Sequence, residues 1–302
     1  MLKKPRRLRP GGHVAVLAIS SPSERPRIEA AAEKLRTHGL KVTIAGNVGD
    51  REHLYLAGDD ELRLAEINKA FSADYDAFLF ARGGYGAMRI LERIDYAAIA
   101  RDPRPVIGFS DLTALHQALA TKVGVASFHG PMLNSDFVEG LSPEIDRWFW
   151  SMLAGQAPLV HRFQPSQVIA AGSAESIAFG GCLSLTNDLI GTPYDFWIPD
   201  GIWFWEDVGE TTYRLDRMLT HLRLSGRFDR LQGVIVGKLK DCGPEPGQLD
   251  WLLHDIFGAM GIPVVRDFPF GHHGDNLLMP IGARIRIDTR QGAMTVVEPV
   301  VD

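Results

Sequence analysis

Cysteine is scarce: Cys182 and Cys242 are the only two in 302 residues. Two are too few for a disulfide framework, and they fit a reducing compartment with each thiol buried. A cationic excess is missing as well. Lys and Arg number 32 against 37 Asp and Glu, a net charge of -5, which argues against a nucleic-acid binder. No apolar stretch approaches bilayer-spanning length, so no membrane partner is expected. Lys3, Lys4, Arg6, Arg7 and Arg9 imitate the start of a secretion signal, but the apolar run behind them is short and follows Pro10-Gly11-Gly12-His13. That run reads as a first buried strand, and the expected location is the cytoplasm. Internal repeats and low-complexity tracts are lacking.

What is present is an alternation. A chain of this length suggests two domains. In residues 1–150, apolar strands over 14–19, 41–45, 77–81, 106–109 and about 125–128 are separated by helices over 24–38, 59–71, 87–94 and after Ser110. Unalternating strands between helices predict a parallel-sheet α/β sandwich. Residues 151–172 read as a linker with one short strand. Residues 173–302 read as a β-rich, barrel-like mixed α/β domain, with strands over 202–205, 233–237, 262–265, 283–287 and 294–297 and helices over 211–224 and 248–260.

Ligands of open α/β sheets bind beyond the carboxyl ends of the strands. Ser20-Ser21, Arg82-Gly83-Gly84-Tyr85-Gly86 and Ser110 all fall at such ends. The glycine cluster can turn consecutive N–H groups toward an anion, or it can be a plain tight turn. Ser110 can be a nucleophile beside a helix N-terminus, or an ordinary helix cap. Gly108-Phe109-Ser110-Asp111 matches half of a nucleophile elbow, with Leu112 where the second glycine belongs. Glu206-Asp207 ends the apolar run Trp203-Phe204-Trp205. An acid there needs a partner: it can cap the helix near Thr211 and Thr212, pair with Arg214 or Arg217, or orient a histidine. Gly271-His272-His273-Gly274 offers a base, a metal ligand or a surface loop. No His or Cys partner stands at ligand spacing, so no metal is expected.

In that order, Ser110, Glu206 and His272 make the chain resemble the LD-carboxypeptidase family of serine peptidases. The resemblance spans nearly the whole length. It is carried by Leu8-Arg9-Pro10-Gly11-Gly12-His13, the glycine cluster, Ile107-Gly108-Phe109-Ser110-Asp111-Leu112-Thr113 and Gly130-Pro131-Met132. Gly180-Gly181-Cys182-Leu183, Leu189-Ile190-Gly191-Thr192-Pro193-Tyr194, the segment from Glu206 to Glu210, Tyr213-Arg214-Leu215-Asp216-Arg217 and Phe270-Gly271-His272 continue it. Two positions depart from the pattern: His273, beside the base, and Ile19, where the family shows proline.

The resemblance implies a Ser-His-Glu triad of Ser110 (nucleophile), His272 (base) and Glu206 (acid), and no cofactor. It implies cytoplasmic cell-wall recycling, in which a terminal D-alanine is released from a muramoyl tetrapeptide, a small muropeptide, by a homodimer. The backbone N–H groups of Gly84 and Asp111 are the expected oxyanion donors. Arg82 and Tyr85 are candidate substrate contacts, Arg82 for a terminal carboxylate or else for a structural acid. Rival readings are an immunity-type peptidase acting on microcin-like peptidyl or aminoacyl nucleotides, with Tyr194-Asp195-Phe196-Trp197 as an aromatic platform, an ordinary α/β-hydrolase, and a non-catalytic two-domain small-molecule binder.

Overall fold

The computed structural model describes residues 2–243 and 245–302. Strands β1 (His13–Leu17), β2 (Lys41–Ile44), β3 (Ala77–Phe80), β4 (Val106–Gly108) and β5 (Ser127–His129) alternate with helices α1 (Arg25–Thr37), α2 (Asp60–Ser72), α3 (Ala87–Ile90), α4 (Tyr96–Arg101) and α5 (Leu112–Val123). Helix α6 (Pro143–Leu153) leads into β6 (Leu159–Arg162), β7 (Val168–Ala170) and β8 (Ser173–Cys182). Then follow α7 (Leu183–Asp188), β9 (Ile202–Glu206), α8 (Thr212–Leu224), β10 (Gly233–Gly237), α9 (Gln248–Phe257) and β11 (Val264–Phe268). The chain closes with β12 (Met279–Ile281), β13 (Arg284–Asp288) and β14 (Ala293–Val296).

The first sheet runs β12-β5-β4-β3-β1-β2. Its five N-terminal strands are parallel. Burial on both faces explains why they carry no polar alternation: every residue of β3, Ala-Phe-Leu-Phe, is buried. Strand β12 corrects the expectation of a wholly parallel sheet. It comes from the far end of the chain and pairs antiparallel with β5. Pro280 sits within it, as an edge position permits.

The second sheet runs β6-β14-β13-β8-β9-β10-β11-β7. Strands β8 to β11 are parallel, while β13, β14, β6 and β7 are antiparallel additions. Among the described residues it is an open sheet, and the barrel-like expectation is corrected accordingly. The reason lies in β8. Residues 173–177 pair with β13 and residues 178–182 with β9. The two halves of the sheet are therefore offset along β8, and β6 and β7 remain separate edges. Both edges come from the stretch 151–172, where a linker with one strand was expected.

The two sheets meet behind the end of β4. Helix α5 is buried at every position from Leu112 to Ala120. The Cys182 N–H at the end of β8 donates to Thr113 Oγ1 of α5 at 3.0 Å. A methyl on Gly181 would lie 2.6 Å from that oxygen, so only glycine lets β8 approach so closely. Both cysteines are buried and free. Among the described residues no helix is long and apolar enough to cross a membrane.

Candidate active site

Strand β4 ends at Gly108 and α5 begins at Leu112, which leaves Phe109, Ser110 and Asp111 to make the turn. Ser110 adopts φ +61°, a left-handed conformation unusual for serine. The turn is closed by Leu112 N–H to Phe109 O at 3.2 Å and Thr113 N–H to Ser110 O at 2.9 Å. Asp111, not Ser110, occupies the cap position, and no side chain caps the helix. The hydroxyl of Ser110 therefore points elsewhere, which removes the plain capping explanation. It borders a cavity of about 110 Å³ shared with Arg82, Gly83, Gly84, Phe109, Met132, Asn134, Ser135 and His272.

The glycine cluster lies against this turn. A methyl on Gly83 would fall 2.8 Å from Ser110 Cβ, 2.9 Å from its Oγ and 3.3 Å from Asp111 N. Gly84 has φ +107°, and a methyl there would strike Ser21 Oγ at 2.2 Å. Among the described residues, neither the Gly84 nor the Asp111 N–H finds a protein acceptor. Arg82 donates to Pro22 O at 3.3 Å. Among the described residues no carboxylate pairs with it, so the structural-acid alternative finds no partner. Tyr85 donates its N–H to Ser21 Oγ at 3.2 Å and leaves its ring half-exposed, 6.1 Å from that of Tyr55.

Two buried charges hold this arrangement. Asp111 Oδ2 accepts from Ser20 Oγ at 2.6 Å and from Ala87 N–H at 2.8 Å. It thereby ties the ends of β1 and of the glycine cluster to the turn. Burial pushes this carboxyl up, opposed by Ser20, Ala87 and Arg63. The guanidinium of Arg63 is fully buried and donates to Ile19 O at 2.5 Å, Gly86 O at 2.8 Å and Gly58 O at 3.2 Å. Three loops at the strand ends are thus fastened by one side chain, which pairs with Asp60.

Glu206 is the last residue of β9 and is fully buried. Its Oε2 accepts from His272 Nδ1–H at 2.7 Å. Arg214 pairs instead with Glu210 at 2.7 Å, so the expected alternative partner of Glu206 is engaged elsewhere. Glycines permit the contact. A methyl on Gly271, at φ +101°, would sit 2.5 Å from Glu206 Oε2, and one on Gly237 would sit 2.9 Å from Glu206 Cβ. The loop carrying His272 leaves β11 in the second sheet and enters β12 in the first, so the imidazole stands where the sheets join. The Phe109 ring packs edge-on against it at 4.9 Å. Burial disfavours its charge, but the hydrogen bond and charge of Glu206, helped by Asp207 and Asp136, raise its pKa above the ordinary value. His273 is exposed, with Nδ1 3.5 Å from Lys238 Nζ.

Ser110 and His272 share the cavity without a direct hydrogen bond among the described residues, as is common before substrate enters. Chemically, the arrangement offers a hydroxyl at a strained turn, an imidazole held by a buried carboxylate, and two unengaged N–H groups beside the hydroxyl. Sequence reasoning missed Asn134 and Ser135 in the cavity wall. It also missed buried Asp136, which together with Asp207, the neighbour of Glu206 in the acidic pair already noted, raises the pKa of the imidazole. The nearby Gly130-Pro131-Met132 was the one signal for that wall.

Comparison with known proteins gives a consistent result. The LD-carboxypeptidase N-terminal domain family matches residues 14–130, and the LD-carboxypeptidase C-terminal domain family matches residues 175–287. The murein tetrapeptide carboxypeptidase of Pseudomonas aeruginosa is 32% identical, over 90% of this chain and 91% of that protein. The solved muramoyltetrapeptide carboxypeptidase of Oxalobacter formigenes has a TM-score of 0.82 and 28% identity, over 94% of this chain and 97% of that one. The microcin C7 self-immunity protein MccF of Escherichia coli is 24% identical, over 95% of this chain and 94% of that protein. MccF solved with glutamyl sulfamoyl guanosine shares the fold at a TM-score of 0.90 and 22% identity, over 99% of each chain.

Proposed function

The chain belongs to the LD-carboxypeptidase family, and on that premise we propose that it hydrolyses the bond between an L-configured centre and a terminal D-alanine in muramoyl tetrapeptides. His272 takes the proton of Ser110 as its oxygen attacks the carbonyl, and Glu206 holds the imidazole tautomer and stabilises the imidazolium. The N–H groups of Gly84 and Asp111 receive the oxyanion, each contributing about 2.7–4 kcal/mol of barrier lowering. His272 returns its proton to the leaving amine, releasing D-alanine and leaving an acyl ester on Ser110. Water activated by the same imidazole then hydrolyses the ester. Arg82, a cation at the cavity rim without a carboxylate partner among the described residues, takes the terminal carboxylate.

One observation carries the reading: buried Glu206 holds His272 at 2.7 Å, and that imidazole lines the same cavity as Ser110. The test is mass spectrometry of a muramoyl tetrapeptide incubated with the protein. Loss of one D-alanine is expected, and none with Ser110→Ala. An unchanged tetrapeptide, or equal release by the variant, would refute it.

The likeness to MccF supports a second reading, cleavage of aminoacyl nucleotides. The aromatic run expected to stack a base is engaged elsewhere. The Trp197 ring packs 4.9 Å from Phe179 and 5.3 Å from Trp203, and its N–H donates to Arg227 O at 3.0 Å. Faster hydrolysis of an aminoacyl-sulfamoyl adenosine than of the tetrapeptide would favour this reading over the first.

A further inference from the structure

Glu206 holds the imidazole of His272 from the second sheet. A separate set of contacts reaches the same loop from the first. The loop from Pro269 to Leu277 is closed at its base by Leu277 N–H to Pro269 O at 2.6 Å. Inside it Asn276 is fully buried, and its Oδ1 accepts from Gly271 N–H at 3.0 Å. Gly271 is the residue at which any side chain would strike Glu206. Its backbone is thus bounded by a carboxylate on one side and an amide on the other, and His272 follows directly.

The far side of that amide faces Asp136. Asn276 Nδ2 is buried and meets no acceptor in full hydrogen-bond geometry among the described residues; the group its amide acts on is the Asp136 carboxyl, whose charged form it favours. Asp136 sits in a π-helical turn, Leu133–Phe137, that follows β5. Such turns recur at functional sites. Asn134 N–H fastens this one to Ala81 O, just past β3, at 2.9 Å. Asn134 and Ser135 face the Ser110 cavity, while buried Asp136 accepts from Met132 N–H at 2.9 Å and from Ser135 Oγ. Neither Asp136 nor Asn276 lines that cavity, so neither reaches a substrate in it.

The residue types are specific to this arrangement. Asparagine presents an acceptor and a donor on one rigid plane. Here the acceptor meets an N–H and the donor side meets a carboxylate. Aspartate at position 276 would set two buried carboxyls against each other, and an apolar residue would leave the Gly271 N–H without its acceptor.

We propose that Asn276 and Asp136 are positioning residues that form a second anchor for the base, holding the His272 imidazole from the first sheet as Glu206 holds it from the second. The proposal rests on the reading of His272 as the base of an L,D-peptidase. The titratable groups that face the imidazole are Glu206 and Asp207 at the end of β9, Asp136 after β5, and His129 of β5, which burial keeps neutral. His273 and Lys238 meet at the surface beside it.

The test exchanges the two side chains. Asp136→Asn sets two amides face to face and removes a charge, and Asn276→Asp sets two carboxyls face to face. Each should lower kcat for D-alanine release by about ten- to hundredfold while KM stays within about twofold. The double variant rebuilds the donor–acceptor pair with its partners reversed and should return to within about fivefold of wild type. Loss of folding in a single variant counts for the pairing if the double variant folds, and against it if the double variant does not. In Asp136→Asn the acidic limb of the pH profile should also move to lower pH, because one carboxylate no longer favours the imidazolium. Titration of His272 by NMR in the Ser110→Ala protein reads the same displacement without turnover. Losses that simply add, a kcat unmoved by either substitution, or a His272 titration unmoved by Asp136→Asn would overturn the proposal. The expected titration shift in a protein that cleaves no tetrapeptide would instead remove the peptidase reading and leave the anchor standing.

Discussion

Replacing Glu206 with glutamine isolates the contribution of one negative charge. The geometry favours a clean substitution. Glu206 Oε2 is the atom that His272 Nδ1–H meets at 2.7 Å, and an amide oxygen can take its place. Oε1 has no hydrogen-bond partner among the described residues, so the amide nitrogen enters that position without breaking a bond. What disappears is the charge that stabilises the imidazolium and fixes its tautomer. In triad chemistry that loss is on the order of 10³–10⁴-fold in kcat, about 4–5.5 kcal/mol of barrier. The pH profile supplies an independent sign. As the proposed base, His272 would act only when neutral, and its pKa in the fold is raised above the ordinary 6.5 because Glu206, Asp207 and Asp136 outweigh the opposing burial. Activity of the wild type should rise as pH climbs through that raised value. Without the Glu206 charge, burial weighs more heavily and the acidic limb should move to lower pH while the plateau falls. D-alanine release followed from about pH 5 to about pH 9 measures both effects. A limb that stays in place, or a plateau within about tenfold of wild type, would falsify the assignment of Glu206 as the orienting acid.

Gly83→Ala places a methyl 2.9 Å from Ser110 Oγ. It should lower kcat by at least about 10²-fold while Tm falls by only a few degrees, as read by turnover and calorimetry. His272→Ala should abolish D-alanine release, whereas His273→Ala, at an exposed position beside Lys238, should stay within about twofold of wild type; the reverse pattern would reassign the base. Asp207 is pushed up to about 6 by burial and by Glu206, above its ordinary 3.8. A carboxyl raised in the fold stabilises most below its unfolded value and loses that contribution as pH rises through about 6. Tm should therefore fall between those limits, and Asp207→Asn should flatten the slope.

The sequence showed the central strands plainly, because they are apolar throughout and buried on both faces. Edge strands were harder. Strands β6, β7 and β12 have three or four residues each, and their pairing depends on partners far along the chain. The site followed the same division. Motif order brought Ser110, Glu206 and His272 forward as candidates, and the preference for His272 because it follows Gly271 has a physical counterpart: no side chain fits between residue 271 and Glu206. Arg63 and Asp111 as fasteners of three loops were not legible, because their partners are mostly backbone atoms and one serine, which leave no pattern in spacing. A larger neighbouring cavity is lined by Glu24, Arg27, Arg51, Tyr55, Arg82 and Asn134 among others, a set that only the fold assembles.

The central claim is that Ser110 becomes acylated by the peptide it cuts. Rapid quenching of the protein with a muramoyl tetrapeptide, digestion and mass spectrometry of the fragments tests this directly. The account predicts that the fragment containing Ser110 gains the mass of the tetrapeptide less D-alanine, transiently, and gains nothing in the His272→Ala protein. D-alanine released with no adduct on that fragment, or an adduct on another residue, would contradict it.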